Sequence, residues 1–493
     1  MGSEYVGPLP DPSLYQDQPI PIHNRITVPL AEAQSPQQQQ YANGYPPYPS
    51  AHPGYPEYPT YPRDSSHRPY YDAVPYGYDP TPAQPRRDRY LLAMAIVSFV
   101  ASILSLLAGL VSMIFLILII VLPTTSTMPV SLLFGGIVQF VALTLAFLLG
   151  GGFGLYHSIR SLFLKRPSAD FKLPWFWIFL LLYLGVILIA SILRSERQAV
   201  ANTPLAVALI ILAGSLPAIA VLALGVRRVH FPRSAPWSTS WRRFSIAIIS
   251  GTTLAIVIAG AIELGLVIFV SLVLKVRGFS ITNLDQPLPQ DTRAVGLVLI
   301  VVSVIAPLVE EAVKPLAVVV MIGRMRSAAE AFVLGLACGI GFDLVETSGY
   351  IAMGYRDWSY VALQRSSAGL LHGFGAGMVA LGWYYLTHGK SNRHRIVLGL
   401  GCWAYALLQH AIWNGSSFLQ ILPAPIGPFL SGNVPLGPYS FPAFLLVLIA
   451  ESFLMLAFFV YVTGKLRGQS TDTPALPQET GSEVQEAQVP THV

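Results

Sequence analysis

One apolar stretch near the middle of the chain reads Pro307-Leu308-Val309-Glu310-Glu311-Ala312-Val313-Lys314-Pro315, placing two acids and a base where hydrocarbon is expected. On a helix Lys314 stands four residues after Glu310 and three after Glu311, so one ammonium can reach both carboxylates. Adjacent glutamates diverge by about 100°, so at most one of them aims squarely at a substrate. Each flanking proline removes a backbone donor, which lipid tolerates only where protein or water covers the freed carbonyl. The next apolar stretch carries Gly339, Phe342 and Glu346 on one helical face, with Asp343 beside them and Gly335-x-x-x-Gly339 as a surface for close packing. Asp343 either supports Glu346 or closes a polar pocket. A third stretch sets His372 next to the glycine stripe Gly369, Gly373, Gly377, and a fourth carries His410, Trp413 and Asn414, with His410 and Asn414 one turn apart. A charge at the bilayer centre costs at least about 2.5 kcal/mol on insertion scales, so each is a candidate for function. Acids, imidazoles and an amide together suit general acid–base work, metal ligation or oxyanion stabilisation. An ion pair that locks helices together is the plainer reading of Glu310, Glu311 and Lys314.

The elements that must hold these groups are membrane helices. Of 493 residues, 53% are hydrophobic and 11% charged, where soluble domains carry about 25% charged residues. That composition excludes a water-soluble multidomain protein. Ten spans are expected, near residues 91–122, 130–158, 174–193, 204–226, 244–274, 295–322, 328–354, 367–387, 396–421 and 440–464. The fold class is therefore an all-α polytopic bundle. Basic residues gather before span one and after spans two, four, six, eight and ten, which puts both termini in the cytoplasm. The net charge of +5 is assigned to these loops and not to nucleic-acid binding. Residues 1–88, rich in Tyr and Pro, and residues 468–493 are expected to be disordered tails. Between them, residues 89–275 read as a scaffold of unknown role and 276–467 as the domain with the chemistry. Glu263 and Glu451 stand alone among aliphatic residues and are left outside the site. Cys338 and Cys402 are far apart and form no redox motif.

Glu-Glu-x-x-Lys on one helix, Phe-x-x-x-Glu on the next, a histidine on the third and His-x-x-Trp-Asn on the fourth resemble the PrsW family of intramembrane proteases, relatives of the CAAX-processing and Abi membrane proteins. The matching residues are Glu310, Glu311, Lys314, Phe342, Glu346, His372, His410 and Asn414, and the resemblance covers residues 295–421. It implies hydrolysis of a membrane-protein substrate, such as a single-span anti-sigma factor, in the plasma membrane. In the CAAX-processing relatives a histidine stands where this chain has Glu346.

Two chemistries fit the resemblance. In one, Glu346, His372 and His410 hold a catalytic zinc and Glu310 or Glu311 is the general base. In the other, Glu310 activates water without a metal, helped by Glu346 or His372, and His410 and Asn414 bind the oxyanion. Lys314 governs which acid is ionised, while Phe342, Asp343 and Trp413 support the site. At about 1.5 Å per residue, Glu346, His372 and His410 lie roughly 8–16 Å below the extracytoplasmic helix ends and Glu310 about 22 Å, so span six must tilt or start later for Glu310 to join them. A proton-coupled transporter also concentrates acids, histidines and broken helices, but usually through inverted repeats that the two halves lack. A catalytically inactive immunity or scaffold protein is the third reading. Nothing in the sequence sets an oligomeric state.

Overall fold

The computed structural model describes residues 89–122, 130–164, 168–169, 171–195, 204–229, 240–274, 295–296, 299–325, 327–388, 392–416, 424–436 and 439–469, all within one unit, Ala83–Val493. The expected tails lie outside the described residues, except that the last helix continues to Gln469. Helices α1 (Arg89–Val121), α2 (Val130–Leu162), α3 (Phe176–Ser195) and α4 (Pro204–Val229) come first. Helix α5 (Trp241–Ile249) runs through a π-helical segment (Ser250–Ala255) into α6 (Ile256–Leu274). A second π-helical segment (Val301–Ile305) leads into α7 (Ala306–Val313), followed by α8 (Leu316–Met321), α9 (Ala328–Met353), α10 (Trp358–Gln364), α11 (Ala368–Thr387) and α12 (Arg393–Gly415). A short helix α13 (Ile426–Ser431), a hairpin of β1 (Asn433–Leu436) and β2 (Tyr439–Pro442), and α14 (Phe444–Gln469) complete the chain. The hairpin pairs Asn433 with Pro442 and Leu436 with Tyr439, a short local element in the expected helical bundle, its strands too brief for hydropathy to reveal.

Among the described residues, eight helices are long and apolar enough to cross a membrane. The other two expected spans differ for identifiable reasons. Span six is broken: Pro315 lacks the N–H that would bond to the Glu311 carbonyl, and the helix stops at Lys314 before resuming in α8. Span eight is α11, whose residues Ala368–Gly382 are all buried, so its glycines and His372 never meet lipid.

Burial orders the bundle. In α9, 94% of the span window is buried, against 17% in α1. Helix α9 is the central post, packed on α2, α4, α5 and α11, whereas α1 leans on α2. Its start is set locally: Ser327 accepts a hydrogen bond from the Glu330 amide at 3.1 Å, and Glu330 pairs with Arg243 of α5. Lipid offers no hydrophobic drive for helices to meet, so close contact and polar links must hold them. At the α9–α11 crossing a Cβ on Gly339 would run into the His372 carbonyl, so only glycine lets the backbones meet there. An aromatic cluster ties this crossing to α14, with the Phe374 and Phe459 rings 5.4 Å apart and nearly perpendicular. In the peripheral pair, Ser105 donates to the Phe147 carbonyl at 2.9 Å and Thr144 to Ser112 at 3.0 Å.

Gly339→Leu is expected to separate α9 from α11 and cost at least about 1–3 kcal/mol, the usual range for overpacking. Gly260→Leu, where nothing lies within 4 Å of the added Cβ, leaves stability unchanged. Thermal unfolding of the two variants in detergent, followed by size-exclusion chromatography, checks the contrast.

Candidate active site

Four elements converge where α7, α9, α11 and α12 meet. The α-helical turns that carry Glu310 and Glu311 start only at Ala306, after the π-helical segment, which brings Glu310 to the level of the histidines. Glu310 Oε2 lies 3.7 Å from His410 Nε2. Asn414 donates its Nδ2 hydrogen to the Val302 carbonyl at 3.1 Å and so ties α12 to that π-helical segment. Such segments recur at functional sites because they re-aim the following turn.

Lys314 is the hub. Its fully buried ammonium stands 2.9 Å from Glu310 Oε2, 2.8 Å from Glu311 Oε1 and 2.7 Å from His372 Nδ1, and 4.5 Å from the centre of the Phe342 ring. Glu311 Oε1 is shared with His410 Nδ1 at 2.9 Å. A carboxylate oxygen accepts, so that imidazole carries its proton on Nδ1 and keeps a lone pair on Nε2. The ammonium likewise donates to His372 Nδ1, which directs the other ring nitrogen towards Glu346 Oε2 at 2.8 Å and Asp343 Oδ1 at 3.8 Å. The two imidazoles meet edge to face, with ring centres 5.1 Å apart. Gly375 of α11 leaves room for this arrangement, since a Cβ there would stand 2.8 Å from Glu311 Oε2. Gln409 fastens α12 to α11 by donating to the Leu371 carbonyl at 3.0 Å.

Most residues singled out from the sequence are therefore in one cluster: Glu310, Glu311, Lys314, Phe342, Asp343, Glu346, His372 and His410. Trp413 is buried in the main apolar core. The expected ligand trio Glu346, His372 and His410 is divided, because Glu346 faces the Nε2 side of His372 and His410 the side of Glu310 and Glu311. Among the described residues two trios have ligand atoms within 4.8 Å of one another, Glu310 with His372 and His410, and Asp343 with Glu346 and His372. The first is a buried Glu/His/His group of a kind that can hold a metal ion.

Two residues were missed. Arg365 lies 3.8 Å from Glu346 Oε1 and donates to Thr347 Oγ1 at 3.4 Å, which in turn donates to Asp343 Oδ1 at 2.6 Å. Arg365 lies between α10 and α11, so no helical spacing ties it to His372. Glu263, set aside as an isolated acid, continues along α6 the line of Ala255, the last residue of the π-helical segment, and Ala259, and those alanines pack with Val313 and Phe342. Its carboxyl is within electrostatic reach of Glu310, Glu346 and Lys314, and its buried Oε1 has no hydrogen-bond partner. The repeat of small residues every four positions, ending in an acid, was the available clue. Glu451 remains apart, next to Tyr405.

The model of the PrsW family intramembrane metalloproteases matches residues 236–450. That stretch runs wider than the motifs at both ends and takes in α5, α6 and Glu263 along with the whole cluster. No curated protein and no solved structure matches the chain.

Removing one partner of a buried charge pair leaves the rest uncompensated, typically at a cost of about 3–5 kcal/mol. Lys314→Met is expected to lose about that much, and adding Glu311→Gln to recover part of it. Denaturant unfolding of the single and double variants measures the coupling.

Proposed function

We propose that this chain hydrolyses a peptide bond of a membrane-protein substrate within the bilayer, with Glu310 activating the water. The match of residues 236–450 supports membrane proteolysis in general. The observation that carries the finer reading is the division of labour between the two glutamates. Glu311 is wholly buried and committed to Lys314 and His410, so it orients the imidazole. Glu310 keeps 7% of its side chain exposed and meets Lys314 through Oε2 at 2.9 Å, with His410 Nε2 and His372 Nδ1 standing 3.7 and 3.9 Å from that oxygen. A water that donates to Glu310 Oε2 and to the lone pair of His410 Nε2 is held by two acceptors, which raises electron density on its oxygen.

Glu310 takes one proton from that water as the oxygen bonds to the substrate carbonyl carbon. The tetrahedral oxyanion forms in a site where water is scarce and fixed positive charge counts for more than in solution. As the carbon–nitrogen bond breaks, the proton on Glu310 passes to the leaving amine, which restores the carboxylate. Asn414, expected as an oxyanion donor, already spends one N–H on Val302 and has one left to offer.

A second reading draws on the metalloprotease description of the matched family and on the trio Glu310, His372 and His410. A divalent ion such as zinc held there, or by Glu346 with the histidines as the resemblance implies, would supply a polarised water. Lys314 already contacts two residues of that trio, at Glu310 Oε2 and His372 Nδ1. With Lys314 in place these residues do not fit a resident ion. The basic residues after every second span support cytoplasmic termini, and the plasma membrane is the proposed location with a single-span protein of the anti-sigma-factor kind as the proposed substrate class.

Cleavage of a single-span reporter in nanodiscs tests the reading. Glu310→Gln and His410→Ala are each expected to slow the wild-type rate by about 10² or more. Equal cleavage by all three proteins would eliminate the site. Chelation leaves the wild-type rate unchanged in the first reading and abolishes it in the second.

A further inference from the structure

We propose that Lys314 is a tethered cation that competes with a divalent metal ion for the Glu310 and His372 donor pair, so that metal enters this site only when the ammonium leaves. The proposal deepens the reading of the same site given above, but it concerns occupancy and not turnover.

The cluster gathers five carboxyls, Glu263, Glu310, Glu311, Asp343 and Glu346, around two fixed cations, Lys314 and Arg365. What opposes a further cation is that the donors are spoken for. The Lys314 ammonium contacts two carboxylate oxygens and one imidazole nitrogen at 2.7–2.9 Å, a mixed oxygen and nitrogen set of the sort a zinc or manganese ion takes. Two of these donor residues, Glu310 and His372, also belong to the Glu310, His372, His410 trio. An ammonium donating to His372 Nδ1 uses the lone pair through which that nitrogen would ligate an ion. The ammonium also has a holding point away from the trio. Glu311 Oε1 and the Phe342 ring, 4.5 Å away, would keep Lys314 buried and paired after it released Glu310 and His372. Pro315 follows directly, and the helix break there lets the turn that carries Lys314 move without disturbing α8.

The test is binding of manganese to the full-length chain in nanodiscs after chelator stripping, read from the loss of the free Mn²⁺ electron paramagnetic resonance signal. Lys314→Met is expected to bind one ion per chain at least ten times more tightly than wild type. Lys314→Arg, which keeps a cation, gains no such affinity, and Lys314→Met with His372→Gln loses it again. Added Mn²⁺ should raise the melting temperature of Lys314→Met and leave that of wild type unmoved. Wild type that binds one ion as tightly as Lys314→Met overturns the proposal, as does binding in Lys314→Met that survives His372→Gln. If Lys314→Met does not fold, tight binding by wild type that Lys314→Arg leaves unaltered overturns it equally. Loss of proteolysis in any variant bears on the catalytic reading alone, since occupancy is read without substrate.

Discussion

A single buried ammonium holds the functional half of this protein together. Taking Lys314 out of water costs several kcal/mol after relaxation, and the bundle offsets this only because two carboxylates, an imidazole and a phenyl face converge on it from α7, α9 and α11. The converse also holds. Glu310 and Glu311 are neighbours in the chain and buried together, and without a cation between them they would repel at close range in a medium that screens poorly. The ion cluster thereby specifies how three helices register against one another, which greasy surfaces in lipid do weakly.

Steric design makes that convergence available. His372 reaches Lys314 because the α9 backbone comes up against the His372 carbonyl at Gly339, and Glu311 fits because Gly375 leaves the space its carboxylate needs. The break at Pro315 and the π-helical turns before α7 set the height and aim of the acids. Asn414 and Gln409 then fasten α12 through backbone carbonyls, so that His410 presents Nδ1 to Glu311 and Nε2 to Glu310. Each polar contact thus relies on a close backbone approach made elsewhere in the bundle.

The proposed function rests on an asymmetry that this packing creates. Two chemically identical side chains, one residue apart, end in different environments: Glu311 is enclosed and engaged by both Lys314 and His410, while Glu310 pairs with Lys314 and keeps 7% of its side chain exposed. In the proposed reaction the first orients His410 and the second takes the proton of the attacking water. Arg365 and Thr347 make a similar arrangement on the far side of His372, holding Asp343 and Glu346 in place. The site is a chain of acids and imidazoles with Lys314 at its middle.

Hydropathy and charge spacing determine by themselves that this chain is a membrane bundle, because the cost of exposing polar groups to hydrocarbon is a property of composition and leaves a direct trace in sequence. The same reasoning identifies Glu310, Glu311, Lys314, Glu346, His372 and His410, since a charged or imidazole side chain within a span is rare unless protein surrounds it. The i, i+3 and i, i+4 spacing of Lys314 from its acids was likewise legible, being local. What only the tertiary structure decided depends on contacts between residues far apart in the chain. Glu263 was passed over because isolation in sequence says nothing of which helix its face meets, and Arg365 because a loop residue carries no periodicity. The split of the expected trio, with Glu346 on one side of His372 and His410 on the other, follows from the rotation of α9 and α12 about α11. That rotation is set by glycine contacts and by Lys314 itself, and no one-dimensional pattern encodes it.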